Sequence, residues 1–166
     1  MIPKPGKDDY HECGAYRTVS ITSCLGKRFE RITSQRLATF LADRDFDPLQ
    51  FAYLKTRSTT QALLIVVEKV KQGLIAGKKA GVVFFDFTDA FGRVDRKCLL
   101  YKMAKEFGIT GKLFLHVASF LTNRFVRVKV NGQFGDWIES LFGTSAGTNL
   151  GPLLFIMYMH LSLIHI

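Results

Sequence analysis

Cysteine is scarce and scattered. Cys13, Cys24 and Cys98 are three in number and form no Cys-x-x-Cys pair. A disulfide framework and a zinc ribbon are both disfavoured, and a reducing, intracellular setting, nucleus or cytoplasm, is expected. His11 beside Cys13 offers too few donors for a metal site. The opening MIPKPGKDDYHECG has no apolar core, so no cleavable leader is expected. Lysine and arginine are missing altogether from residues 131–166, although the chain holds 23 of them. That end finishes in LGPLLFIMYMHLSLIHI, a run of only 17 residues that contains His160 and His165 and lacks basic flanks. It is too short for an ordinary membrane span, and a core helix is the expected reading, with no membrane partner. No internal repeat or low-complexity tract is present.

What the chain has is an ordinary globular composition, 48% hydrophobic and 22% charged in 166 residues, enough for one domain with its own core. The 23 basic residues outweigh 14 acidic ones by a formal +9, which favours polyanionic partners such as nucleic acid. After a loop with short strands, among them YRTVSIT, apolar residues Phe29, Ile32, Leu37, Phe40 and Leu41 recur at helical spacing from Gly26 to about Leu41. Pro48 interrupts, Ser58 or Thr59 can cap a helix to about Leu74, and Gly73 and Gly77 mark its end. Asp95 is a suitable N-cap for a helix to about Phe107, and TGKLFLHVASFL reads as another. Val126, Val128 and Val130 alternate with Arg127 and Lys129 before Asn131-Gly132, a strong hairpin signal. Helices mixed with a hairpin and a central strand predict an α+β fold.

That central strand is Val82 to Phe87, within GVVFFDFTDAFGRV, where an apolar run meets Asp86 and, three residues on, Asp89. An ionised carboxylate at the end of such a run needs a cation, hydrogen-bond donors or water. Asp86 at a sheet rim suits Mg²⁺, which takes one or two carboxylates together with substrate phosphates and can assist phosphoryl transfer. The alternative is that Asp86 accepts turn amides while Asp89 caps the next helix.

Five segments in order decide the family this chain resembles. IPKPGK, YRTVSITSCLGKRFERITSQRL, QFAYLKTRSTTQAL, FFDFTDAFGRV and GTSAGTNLGPLLFIMY are similar, over residues 2–159, to the reverse transcriptase domain of non-LTR (LINE-type) retrotransposons. The resemblance implies a right-hand polymerase fold, with about 1–80 mainly fingers, about 81–160 partial palm, and a divergent tail at 160–166. It also implies RNA-directed DNA synthesis on an RNA template and DNA primer from deoxynucleoside triphosphates, with Mg²⁺ as cofactor.

Carried over position by position, Asp86 matches the first metal-binding aspartate, with the Phe87 carbonyl beside it. Phe91 matches the aromatic under the incoming sugar, and Lys4 and Arg17 match triphosphate contacts. Ala146 and Gly147 fall in the loop that positions the nascent base pair. Lys55, Arg57, Arg124, Arg127 and Lys129 are candidate phosphate contacts. Taken without the resemblance, Phe91 reads equally as core, the glycines as turns and the cations as a solvated face.

Gly92 stands where the family has a second aspartate, Ala146 where it has glutamine, Ala52 and Thr56 where it has glycines, and Thr18 where it has proline. The Y-x-D-D hairpin with the remaining catalytic carboxylates would lie beyond residue 166. The expectation is therefore a polymerase fragment, inactive alone; the alternatives are a non-catalytic basic nucleic-acid-binding domain that retains the fold, and a membrane-associated protein anchored by its apolar end.

Overall fold

The computed structural model describes all residues except 43, 45, 131, 146 and 161–166. Four helices enclose the core: α1 (Cys24–Ala42), α3 (Arg96–Lys105), α4 (Gly111–Leu121) and α5 (Gly151–Met159); α2 (Thr59–Ile75) buries none of its residues. Leu37 and Leu41 of α1, Leu99 and Met103 of α3, Val117 and Leu121 of α4, and Leu154, Ile156 and Met157 of α5 form one cluster, joined by Val94, Phe46, Phe107, Ile109 and Leu150. No helix among the described residues is long and apolar enough to cross a membrane.

Local chemistry sets the helix ends. Ser58 accepts from the Gln61 amide while the Gln61 side chain accepts from the Ser58 amide, a reciprocal cap at the start of α2. Asp95 accepts from the Cys98 amide and starts α3. At the other end of the core, Lys102 Nζ donates to the Tyr158 and His160 carbonyls, which satisfies the C-terminus of α5.

Strands are short and all antiparallel. β1 (Ile2–Pro3) pairs with β2 (Tyr16–Arg17), which is all of YRTVSIT that forms strand. A two-stranded ribbon follows α4: β3 (Phe125–Val126) pairs with β6 (Ile138–Glu139), and β4 (Lys129–Val130) with β5 (Gln133–Phe134). This is the expected hairpin, with Asn131 outside the described residues. Helices and small sheets together make the fold α+β.

Two expectations are corrected. Val82 to Phe87 is not a central strand: it pairs with no strand among the described residues, and Phe84 and Phe85 are 86% and 78% exposed. A run apolar on both faces becomes a buried strand only when neighbours supply both edges and both faces, and none does so here. In α1 the expected apolar stripe also shifts. Phe29 and Ile32 are exposed, whereas Glu30 and Thr33 share the inward row with Leu37 and Leu41. Glu30 faces inward toward the loop before α5, whose Asn149 amide it accepts.

Candidate active site

Asp86 and Phe87 are solvent-exposed and lead directly into a turn over residues 88–93. The turn closes through the Arg93 amide on the Asp89 carbonyl at 3.1 Å, with Asp89 in the left-handed region at φ 53°. Aspartate tolerates that conformation better than most residues. Asp89 therefore shapes the turn, and the helix cap considered for it belongs to Asp95.

The missing side chain at residue 92 has a local explanation. A Cβ built on Gly92 would fall 2.1 Å from Asp89 Oδ2 and 2.6 Å from Asp89 Cγ. The Asp89 carboxylate thus occupies the space that a side chain on residue 92 would need. On its other side Gly92 meets Gly143, whose own Cβ would come within 2.9 Å of Gly92 Cα, Gly92 O and Phe91 O. Gly143 also sits at φ 83°, so an L side chain is excluded there twice over.

This close crossing ties the turn to the segment that follows the ribbon. The Thr144 amide donates to the Phe91 carbonyl and the Gly143 amide to the Val94 carbonyl, each at 2.8 Å. Arg96 completes the joint: Nε donates to the Gly143 carbonyl at 2.8 Å, and the two terminal nitrogens reach the Ser140 carbonyl, Ser140 Oγ and the Phe142 carbonyl. Burial first, and the neighbouring Arg124 second, lower the Arg96 pKa from the ordinary guanidinium value. Thr144 Oγ1 is buried with no hydrogen-bond partner among the described residues.

Phe91 is partly buried, its ring 5.0 Å from Phe155 of α5 and 6.3 Å from Tyr53, centroid to centroid. The loop ahead of α5 is folded by its own threonine: Thr148 Oγ1 donates to the Ser145 carbonyl and accepts from the Gly151 amide. Helix α1 holds the same loop at Asn149 from both sides. The buried Glu30 accepts the Asn149 amide at 3.3 Å, and Ser34 Oγ donates to the Asn149 carbonyl at 3.1 Å. Gly147, at φ 84°, lies beside Val19 and Ser20, just past Arg17. Ala146 lies outside the described residues.

The remaining candidates divide into engaged and exposed groups. Lys4 Nζ donates to the Gly14 carbonyl at 2.9 Å, and Arg17 is exposed on β2. The Arg57 guanidinium donates to the Asp47 and Gln50 carbonyls at 2.6 Å and so braces its own loop, while Lys55 is exposed beside it. Arg124, Arg127 and Lys129 border a groove of about 1430 Å³ between α1, α4 and the ribbon, larger than a small-molecule pocket.

Sequence reasoning missed Arg96, Glu30 and Ser34. Each lay within a matched or helical segment but carried no distinctive spacing, and their partners are 44 to 119 residues away.

The reverse transcriptase (RNA-dependent DNA polymerase) family model matches residues 2–166. The RNA-directed DNA polymerase from mobile element jockey of Drosophila funebris is 33% identical over 161 residues, 95% of this chain. Its Drosophila melanogaster counterpart is 31% identical over 159 residues, also 95% of the chain. The probable RNA-directed DNA polymerase from transposon X-element of Drosophila melanogaster is 28% identical over 96% of the chain. In each case the chain spans about 17% of the relative's length. A match along almost every residue, through the same turn and loop that the fold clamps together, means that this chain belongs to the reverse transcriptase family, as a reverse transcriptase domain of a LINE-type element.

Proposed function

We propose that the chain is the fingers, about 1–80, and part of the palm, about 81–160, of an RNA-directed DNA polymerase. It contributes to metal-dependent nucleotidyl transfer in a longer enzyme and is inactive alone. The observation that carries this reading is the exposed Asp86 at the entrance to a turn that is braced against the 143–151 loop.

The donor set fits part of a Mg²⁺ shell. Asp86 is open to solvent, and no group of three or more His, Cys, Asp or Glu able to hold a metal occurs among the described residues. Mg²⁺ is commonly held by one or two carboxylates plus waters and phosphates, so Asp86 and the Phe87 carbonyl would supply one side and the rest of the enzyme the other. When bound, the ion would stabilise charge developing on the phosphoryl oxygens. Lys4 and Arg17 would take the triphosphate, Phe91 the sugar, and Ala146 and Gly147 the nascent base pair. Lys55, Arg57, Arg124, Arg127 and Lys129 would contact phosphates of the RNA template and DNA primer.

The test is a chimera in which this chain replaces the matching segment of the jockey polymerase, assayed by primer extension on RNA with Mg²⁺. Extension should be lost on Asp86→Asn. An active chimera indifferent to that change would refute the role of Asp86, and robust synthesis by the 166 residues alone would refute the incompleteness of the site.

A further inference from the structure

The ribbon after α4 is two-sided. Val126, Val128 and Val130 alternate with Phe125, Arg127 and Lys129, and the second set shares its side with aromatic rings from the return strand. The Arg127 guanidinium carbon lies 3.9 Å from the centroid of Phe134 and 4.7 Å from that of Trp137, so one cation is shared by two rings. Lys129 Nζ is 4.8 Å from the Phe134 ring, and Arg124 is 4.9 Å from the Phe120 ring at the end of α4. Despite these contacts Trp137 and Phe134 remain 62% and 54% exposed, which leaves ring surface open to the groove.

Cations stacked on rings that stay open to solvent form a particular kind of surface. Among the described residues, Arg124, Arg127 and Lys129 border the groove, and the acidic residue lining it, Glu30, is buried and accepts the Asn149 amide. Positive charge attracts a phosphate backbone, whereas an open aromatic face gains only from a flat partner able to leave its own stack. In a duplex the base faces are already stacked on one another, so the rings would have nothing to take up. In a single strand they are available between consecutive phosphates.

We propose that this ribbon is a binding site for single-stranded nucleic acid, in which Trp137 and Phe134 stack on bases while Arg124, Arg127 and Lys129 neutralise the flanking phosphates. The proposal rests on the polymerase reading only in that it assigns this face to the strand the domain handles. Stacking does not read the sugar, so RNA and DNA single strands share the chemistry.

Trp137 is the one tryptophan of the chain, so its emission reports this site alone. The full chain is titrated with short oligouridylate, oligothymidylate and a duplex of equal length, following tryptophan emission together with anisotropy of a dye on the nucleic acid. Single strands should quench Trp137 and the duplex should not. Quenching by oligouridylate alone assigns the site to RNA, and quenching by both assigns it to single strands of either sugar. Trp137→Leu should weaken single-strand binding about tenfold, while Trp137→Phe, which keeps a ring, recovers most of it. Far-UV circular dichroism confirms that both variants are folded. Single-strand binding without quenching, equal quenching by duplex, unchanged affinity in the leucine variant, or no binding at all overturns the proposal. Salt-sensitive binding without quenching refutes stacking and leaves the polymerase reading intact, since that reading stands on Asp86 and primer extension.

Discussion

Replacing Arg96 with alanine should unfasten the turn that carries Phe91 from the loop that precedes α5. The guanidinium makes four hydrogen bonds, to Ser140 O, Ser140 Oγ, Phe142 O and Gly143 O. A hydrogen bond with one charged partner contributes about 1.5–3 kcal/mol. The guanidinium is only partly buried and Phe142 is exposed, so some of these acceptors would regain water, and the four bonds do not add in full. Gly143 is buried, and its carbonyl would be left without its donor. The net loss should be about 3 kcal/mol, which for a domain of this size lowers the melting temperature by about 6–12 °C. Urea unfolding followed by Trp137 emission measures it, and amide exchange at Gly143 and Thr144 should accelerate before global unfolding, because these amides bond across the joint to Val94 and Phe91. Arg96→Lys should restore less than half of the loss, since a point ammonium cannot span a fork of four acceptors. A loss below about 1 kcal/mol with unchanged exchange at those two amides would refute the reasoning, because it would mean that the joint holds without Arg96.

Three other substitutions examine neighbouring parts of the same region. Gly92→Asp should destabilise by about 2 kcal/mol, because its Cβ would meet the Asp89 carboxylate, and adding Asp89→Ser should recover most of that; purely additive effects in a double-mutant cycle would contradict the shared space. Phe84→Ser should cost less than about 0.5 kcal/mol and lower light scattering, whereas a core phenylalanine there would cost several kcal/mol. Thr144→Val should be neutral or stabilising by up to about 1 kcal/mol in the same urea assay, since it removes a buried hydroxyl without a partner among the described residues; a clear loss would reveal a hydrogen bond to that oxygen.

The helices were legible because the features that make them are local. The Ser58 and Asp95 caps lie within three residues of the amides they serve, and the spacing of Leu37, Leu41, Val117 and Leu121 lies within single helices. The ribbon was legible for the same reason, through alternation on one strand ahead of Gly132. Asp86 stood out as a charge at the end of an apolar run, and in the structure it is exposed together with all of residues 81–89. Glu30 gave no such signal. A glutamate among basic residues on a helix reads as surface, yet it is 4% exposed because its partner, 119 residues on, approaches α1 with a bare amide.

Caps, helical periods and strand alternation are thus properties of neighbouring residues, and in this protein the chain order alone determined them, together with its family. Whether Val82–Phe87 is buried, which row of α1 faces inward, and why Gly143 can carry no side chain against Phe91 and Gly92 depend on groups that meet only after folding. Those questions were decided by the tertiary structure, because burial and pairing belong to the partner as much as to the residue.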